Sequence, residues 1–400
     1  MNIDSFRKIE QSVFYALVAV IGLIAMIGMG ASYYMEEHGH VVTGMNNQIV
    51  WGMPHVFAVF LIVAASGVLN VASIGSVFGK TIYKARAPLS GLLAIAMLAG
   101  GLTVLMLDLG RPDRLIVAMT HYNFKSVFAL NVILYTGFFS IVAIYLWTMM
   151  DRKMNGFSKY AGFGAFIWRL ALTTATGSIF GLLVARQAYA SALLAPMFII
   201  MSFSFGLAVF ITVQSVMYRW NGLVLDEAVR RRMKNLLGIF VSAVLYFTIV
   251  YHLTNLYYAK QVAFERFILL DGGIYTTLFW VGQILLGTLA PLAMLFYPDA
   301  AKKCNMVFFA ALLVIIGGMC QIYVLIIGGQ AFPLSIFPGM TESSSFFDGQ
   351  IHSYSPSLPE FLLGLGGVAI AGLITTIAVR VLHFMPEDDF RHIERRVITD

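Results

Sequence analysis

The amino-acid sequence predicts an all-α membrane protein of about ten transmembrane helices, arranged as two four-helix bundles with flanking helices. Two observations carry the prediction. Of the 400 residues, 59% are hydrophobic and only 12% are charged, whereas soluble domains run near ~25% charged. The apolar residues also fall into ten long runs, each sufficient at ~1.5 Å per residue to cross a ~30 Å hydrocarbon core. Inside hydrocarbon a backbone must satisfy its own N–H and C=O groups, so these runs are helices.

In chain order the runs are 12–34, 50–78, 88–107, 126–150, 161–186, 191–218, 235–259, 273–297, 305–328 and 361–383. The first is too long for a signal-peptide core and reads as a true span. The second opens on Trp51-Gly52-Met53-Pro54-His55, with proline near a helix start, where its missing donor is tolerated. The third ends abruptly in Leu107-Asp108-Leu109-Gly110-Arg111-Pro112-Asp113-Arg114. The fourth follows Tyr122–Ser126, and the fifth carries Arg169 within it. The sixth opens after Ser191, and the seventh follows the basic run Arg230-Arg231-Arg232, which reads as a topology anchor. The eighth, ninth and tenth are predominantly apolar. Spans two to five and six to nine alternate in the same directions, which is why two bundles are expected. Residues 329–360, rich in Gly, Pro, Ser and Phe, have no span and read as an outer-face docking loop, since loops of that length are usually functional or disordered. Residues 385–400, with mixed charges, read as a cytoplasmic tail.

Lys and Arg fix the expected orientation. Of the 26, nineteen fall on the side of the two termini and six on the other. Positive residues stay cytoplasmic, so both termini are expected inside a bacterial inner membrane. The charged stretch 107–114 and the loop 329–360 then face the periplasm. The formal charge of +6 reports this topology, and the sequence shows no nucleic-acid signature. Cys304 and Cys320 lie on one predicted span without a CxxC, so an intrinsic Fe–S cluster or zinc is not expected.

Ionisable residues inside a bilayer are costly, and each is a candidate site. His55, Asp108, Arg186 and His252 all fall near the outer face, which suggests one polar pocket open to lipid. A quinone head group needs partners for its two oxygens and a group that exchanges protons, a task suited to histidine and to an acid–arginine pair. His55 reads as such a contact or as an interfacial histidine bonded to a neighbouring helix, and His252 has the same two readings. Asp108 lies against the negative end of its helix dipole, which calls for a nearby cation. Arg111, three residues on, is the expected partner. Arg114 reads as a head-group anchor beside a short membrane-lying helix carrying Leu115, Ile116 and Met119. Arg169 reads as part of a proton path or as a side chain reaching the inner interface. His38 and His40 form a lone HxH, a weak metal signal. His55 and His252 are the two histidines at a depth suited to axial ligation, so a single haem b stays open. A secondary transporter is the other alternative, although no pair of broken helices marks matching places in two halves.

The stretch Leu107–Arg114, with Tyr122-Asn123-Phe124-Lys125-Ser126, Arg186 and Ser191–Pro196, resembles the NrfD/PsrC family of quinone-interacting membrane subunits. Gly328–Leu334 and Tyr354–Glu360 are similar to its ten-helix branch, most of all to membrane subunits of DsrMKJOP-type sulfur-metabolism complexes. The resemblance implies a membrane protein binding menaquinone or ubiquinone near the outer face and exchanging electrons with a periplasmic ferredoxin-like [4Fe–4S] subunit. Further subunits, a cytochrome c among them, belong to the same expectation. It also implies quinone contacts from a polar residue and a histidine at the start of the first bundle helix, here Trp51-Gly52-Met53-Pro54-His55. A tyrosine of the fourth bundle helix is implied too. Span five contains none, Tyr189 lies just beyond it, and Tyr135 on span four is the substitute.

Overall fold

The computed structural model describes residues 11–221, 225–333, 349–382 and 384. Ten long helices carry the fold: α1 Gln11–His38, α2 Met53–Ser76, α3 Ala87–Leu107, α4 Val127–Met150, α5 Ser158–Gly181, α6 Leu194–Trp220, α7 Glu227–Tyr257, α8 Ile274–Phe296, α9 Asn305–Ala331 and α10 Leu358–Val381. Among the described residues, nine of them are long and apolar enough to cross a membrane. The remaining one, α5, is as long as α4 but carries Lys159, Arg169 and a run of Thr and Gly. The chain is an all-α, multi-pass integral membrane protein.

The helices pack as two rings. Helices α2, α3, α4 and α5 touch in sequence and close through an α2–α5 contact. Helices α6, α7, α8 and α9 do the same, closing through α6–α9. The rings meet where α2 lies on α6 and α9, and α5 on α6. Helix α10 covers α2 and α3, and α1 packs on α10 from outside. Burial follows this arrangement: 94% of the apolar window of α2 is buried against 11% for α1. A helix apolar on all sides can occupy the centre of such an assembly.

Lipid tails are as apolar as leucine, so association in a membrane relies on close van der Waals packing, and small residues permit it. A Cβ on Gly67 of α2 would lie 1.5 Å from the backbone oxygen of Ser202 on α6. Gly28 of α1 meets Gly366 of α10 in the same way.

Several boundaries differ from the sequence expectation. Helix α5 ends at Gly181, so Arg186 lies in the connection to α6 rather than on a span. Helix α7 begins at Glu227, and the arginine run is therefore its first turns. Span two is broken at Leu69, between Met53–Val68 and Asn70–Ser76. Within α8, residues Leu278–Leu289 are wound as π-helix, ending just before Pro291. Proline has no N–H to return to the preceding turn, which favours a wider winding there. The expected tail 385–400, and 334–348 of the expected docking loop, lie outside the described residues.

We call the end of the molecule where α2 begins and α3 ends the rim.

Candidate functional site

The rim is built at the junction of α2 and α3. Asp108 caps the last turn of α3, its N–H bonded to Val104 O. Leu107 O accepts from the Ser32 hydroxyl of α1 at 3.1 Å, and Asp108 O lies 3.2 Å from His40 Nε2. These contacts hold the end of α3 and turn the Asp108 side chain inward, where it is 1% exposed. There Oδ2 lies 2.7 Å from Nδ1 of His55 on α2. Both Asp108 carboxylate oxygens and His55 Nδ1 are buried, and their close approach is an ion pair without hydrogen-bond geometry.

This corrects the expected Asp108–Arg111 pair. Pro112 opens a 3-10 turn over Pro112–Arg114 that carries Arg111 outward. Its guanidinium sits 3.3 Å from Asp113, with both side chains well exposed. That contact holds the Asp113 carboxyl below its usual range. Beyond it, Leu115–Thr120 forms the expected short helix, with Ile116 and Val117 exposed.

Trp51 lies stacked near His55 at 6.0 Å between ring centroids. It also meets Phe180 edge-on at 5.8 Å and Phe128 at 6.3 Å, which fixes its indole among α2, α4 and α5. Its backbone is held as firmly. Gln330 Oε1 accepts from both Val50 N and Trp51 N at 3.0 Å, while its amide donates to Trp51 O and Ile326 O. Gln48 donates to the carbonyls of Gln330 and Ala331, and Arg186 donates to Gln48 O at 2.6 Å. Arg186 therefore supports the approach to α2 instead of joining the His55–Asp108 pair.

The start of α2 has a second clamp. A helix N-terminus leaves N–H groups without partners, and here Met53 N donates to the Tyr354 hydroxyl at 2.7 Å. Tyr354 in turn donates to Glu360 Oε1 at 2.7 Å. Glu360 is fully buried, and its Oε2 accepts from Gly44 N and Ser357 N, the latter completing a capping box for α10. Burial and the Glu360 carboxylate push the Tyr354 phenol well above its usual range, so it remains a donor.

The remaining expected residues lie elsewhere. His252 of α7 is not in the His55 pocket: its Nδ1 lies 2.6 Å from Glu265 Oε2 in the second ring. Asn255 donates to Glu265 Oε1 at 2.7 Å, and Glu265 is fully buried. The expected single pocket is thus two separate histidine–acid pairs. Tyr135 is buried on α4. Tyr189 donates its hydroxyl to Ile326 O at 2.9 Å. Arg169 is 1% exposed and lies over Phe166 and Phe203, so it does not reach the membrane interface. Among the described residues, no cluster of three or more His, Cys, Asp or Glu side chains is placed to hold a metal ion.

Sequence reasoning missed Glu265 and Gln48, and it marked Gln330, Tyr354 and Glu360 only as members of the stretches that carry the family resemblance, without a role. A signal existed for Glu265, a lone acid flanked by Phe264 and Phe267-Ile268. Another existed for Glu360, three residues after Ser357 at the head of an apolar run. Nothing local assigns Gln330 or Gln48 a role, because the α2 approach and Gln330 lie some 280 residues apart.

A multi-pass helical bundle with a buried acid–imidazole pair at one rim defines a class: integral membrane proteins that carry a buried polar pair at one end of the bundle. The chain belongs to the polysulphide reductase NrfD family, whose model matches residues 41–334. It is 27% identical to the Hdr-like menaquinol oxidoreductase integral membrane subunit of Archaeoglobus fulgidus, over 96% of this chain and 97% of that one. It is 25% identical to a putative dimethyl sulfoxide reductase membrane subunit of Halobacterium salinarum, over 91% and 90% of the two chains. A selenate reductase subunit of Mesobacillus selenatarsenatis is 21% identical over 91% and 92%.

Proposed function

We propose that this chain binds quinol or quinone at the rim and is the membrane subunit of a redox complex, passing electrons between the membrane quinone pool and an Fe–S partner. The observation that carries the reading is the His55–Asp108 pair, held at 2.7 Å with the acid buried and the imidazole 16% exposed. A histidine buried against an acid, yet reachable from the side, can exchange a proton with a hydroxyl of a lipid-soluble ligand. Trp51 supplies a flat apolar surface beside it. The family membership and the menaquinol named in one relative support the same reading.

A quinol that becomes a quinone gives up two electrons and two protons. His55 takes one proton from the head-group hydroxyl, and Asp108 stabilises the imidazolium through Nδ1. His55 then releases that proton at the rim, and the second proton leaves to water there. The electrons pass to a ferredoxin-like [4Fe–4S] protein seated on the rim face, with a cytochrome c among the further subunits. Arg111, Arg114 and the exposed Phe124 lie on that face. With both termini cytoplasmic, the rim faces the periplasm of a bacterial inner membrane, and the complex serves respiration or sulfur metabolism.

The test is quinol-dependent reduction of the partner's clusters by the complex in proteoliposomes. Proton transfer by a placed side chain contributes ~10²–10⁴-fold, so His55→Ala and Asp108→Asn are expected to slow reduction at least ~100-fold while leaving assembly intact. Normal electron transfer in both variants would refute the site.

A further inference from the structure

Two cavities lie in the second ring, and neither is lined by His55, Asp108 or Trp51. The first, of about 30 Å³, is lined by Thr248 and His252 of α7, Gln283 of α8 and Gln321 of α9, among apolar neighbours. The second, of about 10 Å³, shares Gln283 and Gln321 and adds Ser204 of α6 and Thr288 of α8. The two share these glutamines, and together they place a sparse file of polar groups along a mainly apolar lining, from His252 near the rim toward mid-bundle.

Size decides what the file can hold. A cavity that accepts benzene measures ~150 Å³, whereas a water needs ~10–15 Å³ and two to four polar partners. A quinone ring is therefore too large, while about two waters fit the first cavity and about one the second. The lining asks for them. Thr248 Oγ1 and Gln321 Nε2 are buried with no hydrogen-bond partner, on side chains of residues only 3% and 4% exposed. Buried polar groups left unmet by protein are the sites that ordered water occupies.

We propose that this file is hydrated and that His252 with Glu265 forms a proton-binding site at its rim end. Glu265 is fully buried, and among the described residues its one ion-pair partner is His252. The other groups facing the pair are identifiable. Tyr251 beside it donates its hydroxyl to Ala188 O, and Asn255 donates to Glu265. Helices α8 and α9 present Phe279, Gln283 and Gln321, and α6 presents Met197, all uncharged. Arg266 is turned to the surface, paired with Asp271. One proton shared by the pair keeps it neutral overall, and losing that proton leaves a buried anion without a cation, which is strongly disfavoured. His252 lines the cavity and is the member that meets the water. The exchange moves one proton between water and the pair, with no change in electrons. None of this depends on quinone binding at His55, and failure of that reading leaves the proposal standing.

The test uses the full chain in lipid nanodiscs, with infrared spectra recorded in ordinary and ¹⁸O water across about pH 5 to 9, which brackets the imidazole range. The wild type is expected to show isotope-sensitive internal-water bands that change together with a carboxyl and an imidazole band that persist in Asp108→Asn, which removes the rim pair's own signal. Thr248→Val combined with Gln321→Leu should lose at least half of the water-band intensity, while Thr248→Ser, which keeps the hydroxyl, should retain it. Glu265→Gln should remove the carboxyl band and leave an uncoupled imidazole. Absence of the bands in the wild type, water bands unchanged in the double variant, or a carboxyl band persisting in Glu265→Gln would each overturn the proposal.

Discussion

At the scale of single residues, partners matter more than positions. Asp108 was legible in the sequence because an acid at the negative end of a helix demands compensation. Its partner was not, because sequence separation pointed to Arg111 while the turn at Pro112 swings that arginine outward. His55 supplies the compensation from 53 positions away, through the contact between α2 and α3. Gln330 illustrates the same limit. All four of its bonds go to backbone groups, two of them N–H donors at the entry to α2. Leaving a buried donor unmade costs ~1–3 kcal/mol. Gln330→Ala is therefore expected to lower stability by about 2–4 kcal/mol, read as a fall in Tm of the detergent-solubilised chain. It should also weaken quinol binding, since the Trp51 backbone loses its anchor, while Gln330→Glu, which keeps the acceptor, should recover part of both. Tyr354→Phe tests the second clamp: Met53 N and Glu360 each lose a partner, and the expected loss is again ~1–3 kcal/mol. Unchanged melting in both would mean that the entry to α2 is held from elsewhere.

At the scale of elements, nearly every helix was readable because a membrane demands about twenty apolar residues per crossing and tolerates little ambiguity. Ends were less readable. Helix α7 gains two turns of charged residues because Glu227 pairs with Arg231 one turn on, at 2.7 Å, and Arg230 folds back to Leu225 O. Hydropathy alone discards such a segment. The packing of the helices was likewise hidden, since it depends on which glycines face a neighbour. Gly67 and Gly22 make the contrast testable. A Cβ at Gly67 enters the α6 backbone, and overpacking of this kind costs ~1–3 kcal/mol or more. A Cβ at Gly22 meets nothing within 4 Å, and replacing glycine by alanine in a helix gains ~0.5–1 kcal/mol. Gly67→Ala should thus lower the unfolding midpoint in mixed micelles and Gly22→Ala should hold or raise it. Equal effects from the two would show that the α2–α6 contact is not what sets stability.

At the scale of the whole molecule, orientation decides what the rim site accomplishes. The two ends of the helix assembly differ chiefly in cationic charge. Among the described residues, fourteen Lys and Arg lie on the side opposite the rim, against six on the rim side. The positive-inside rule then predicts a rim facing outward. Protons leaving quinol at His55 would be released outside, while electrons left through a partner on the same side. On the proposed reading, the chain would contribute to a proton gradient through the placement of its site. Reporter fusions test this directly. Alkaline phosphatase joined after His121, in the rim connection between α3 and α4, should be active. Joined after Arg152, in the connection between α4 and α5, it should be silent, and a fluorescent protein at Asp400 should fold and emit. The reverse pattern would place the rim and its partner in the cytoplasm. The same quinol oxidation would then acidify the inside, so the sign of the pH change in oriented proteoliposomes must agree with the fusions.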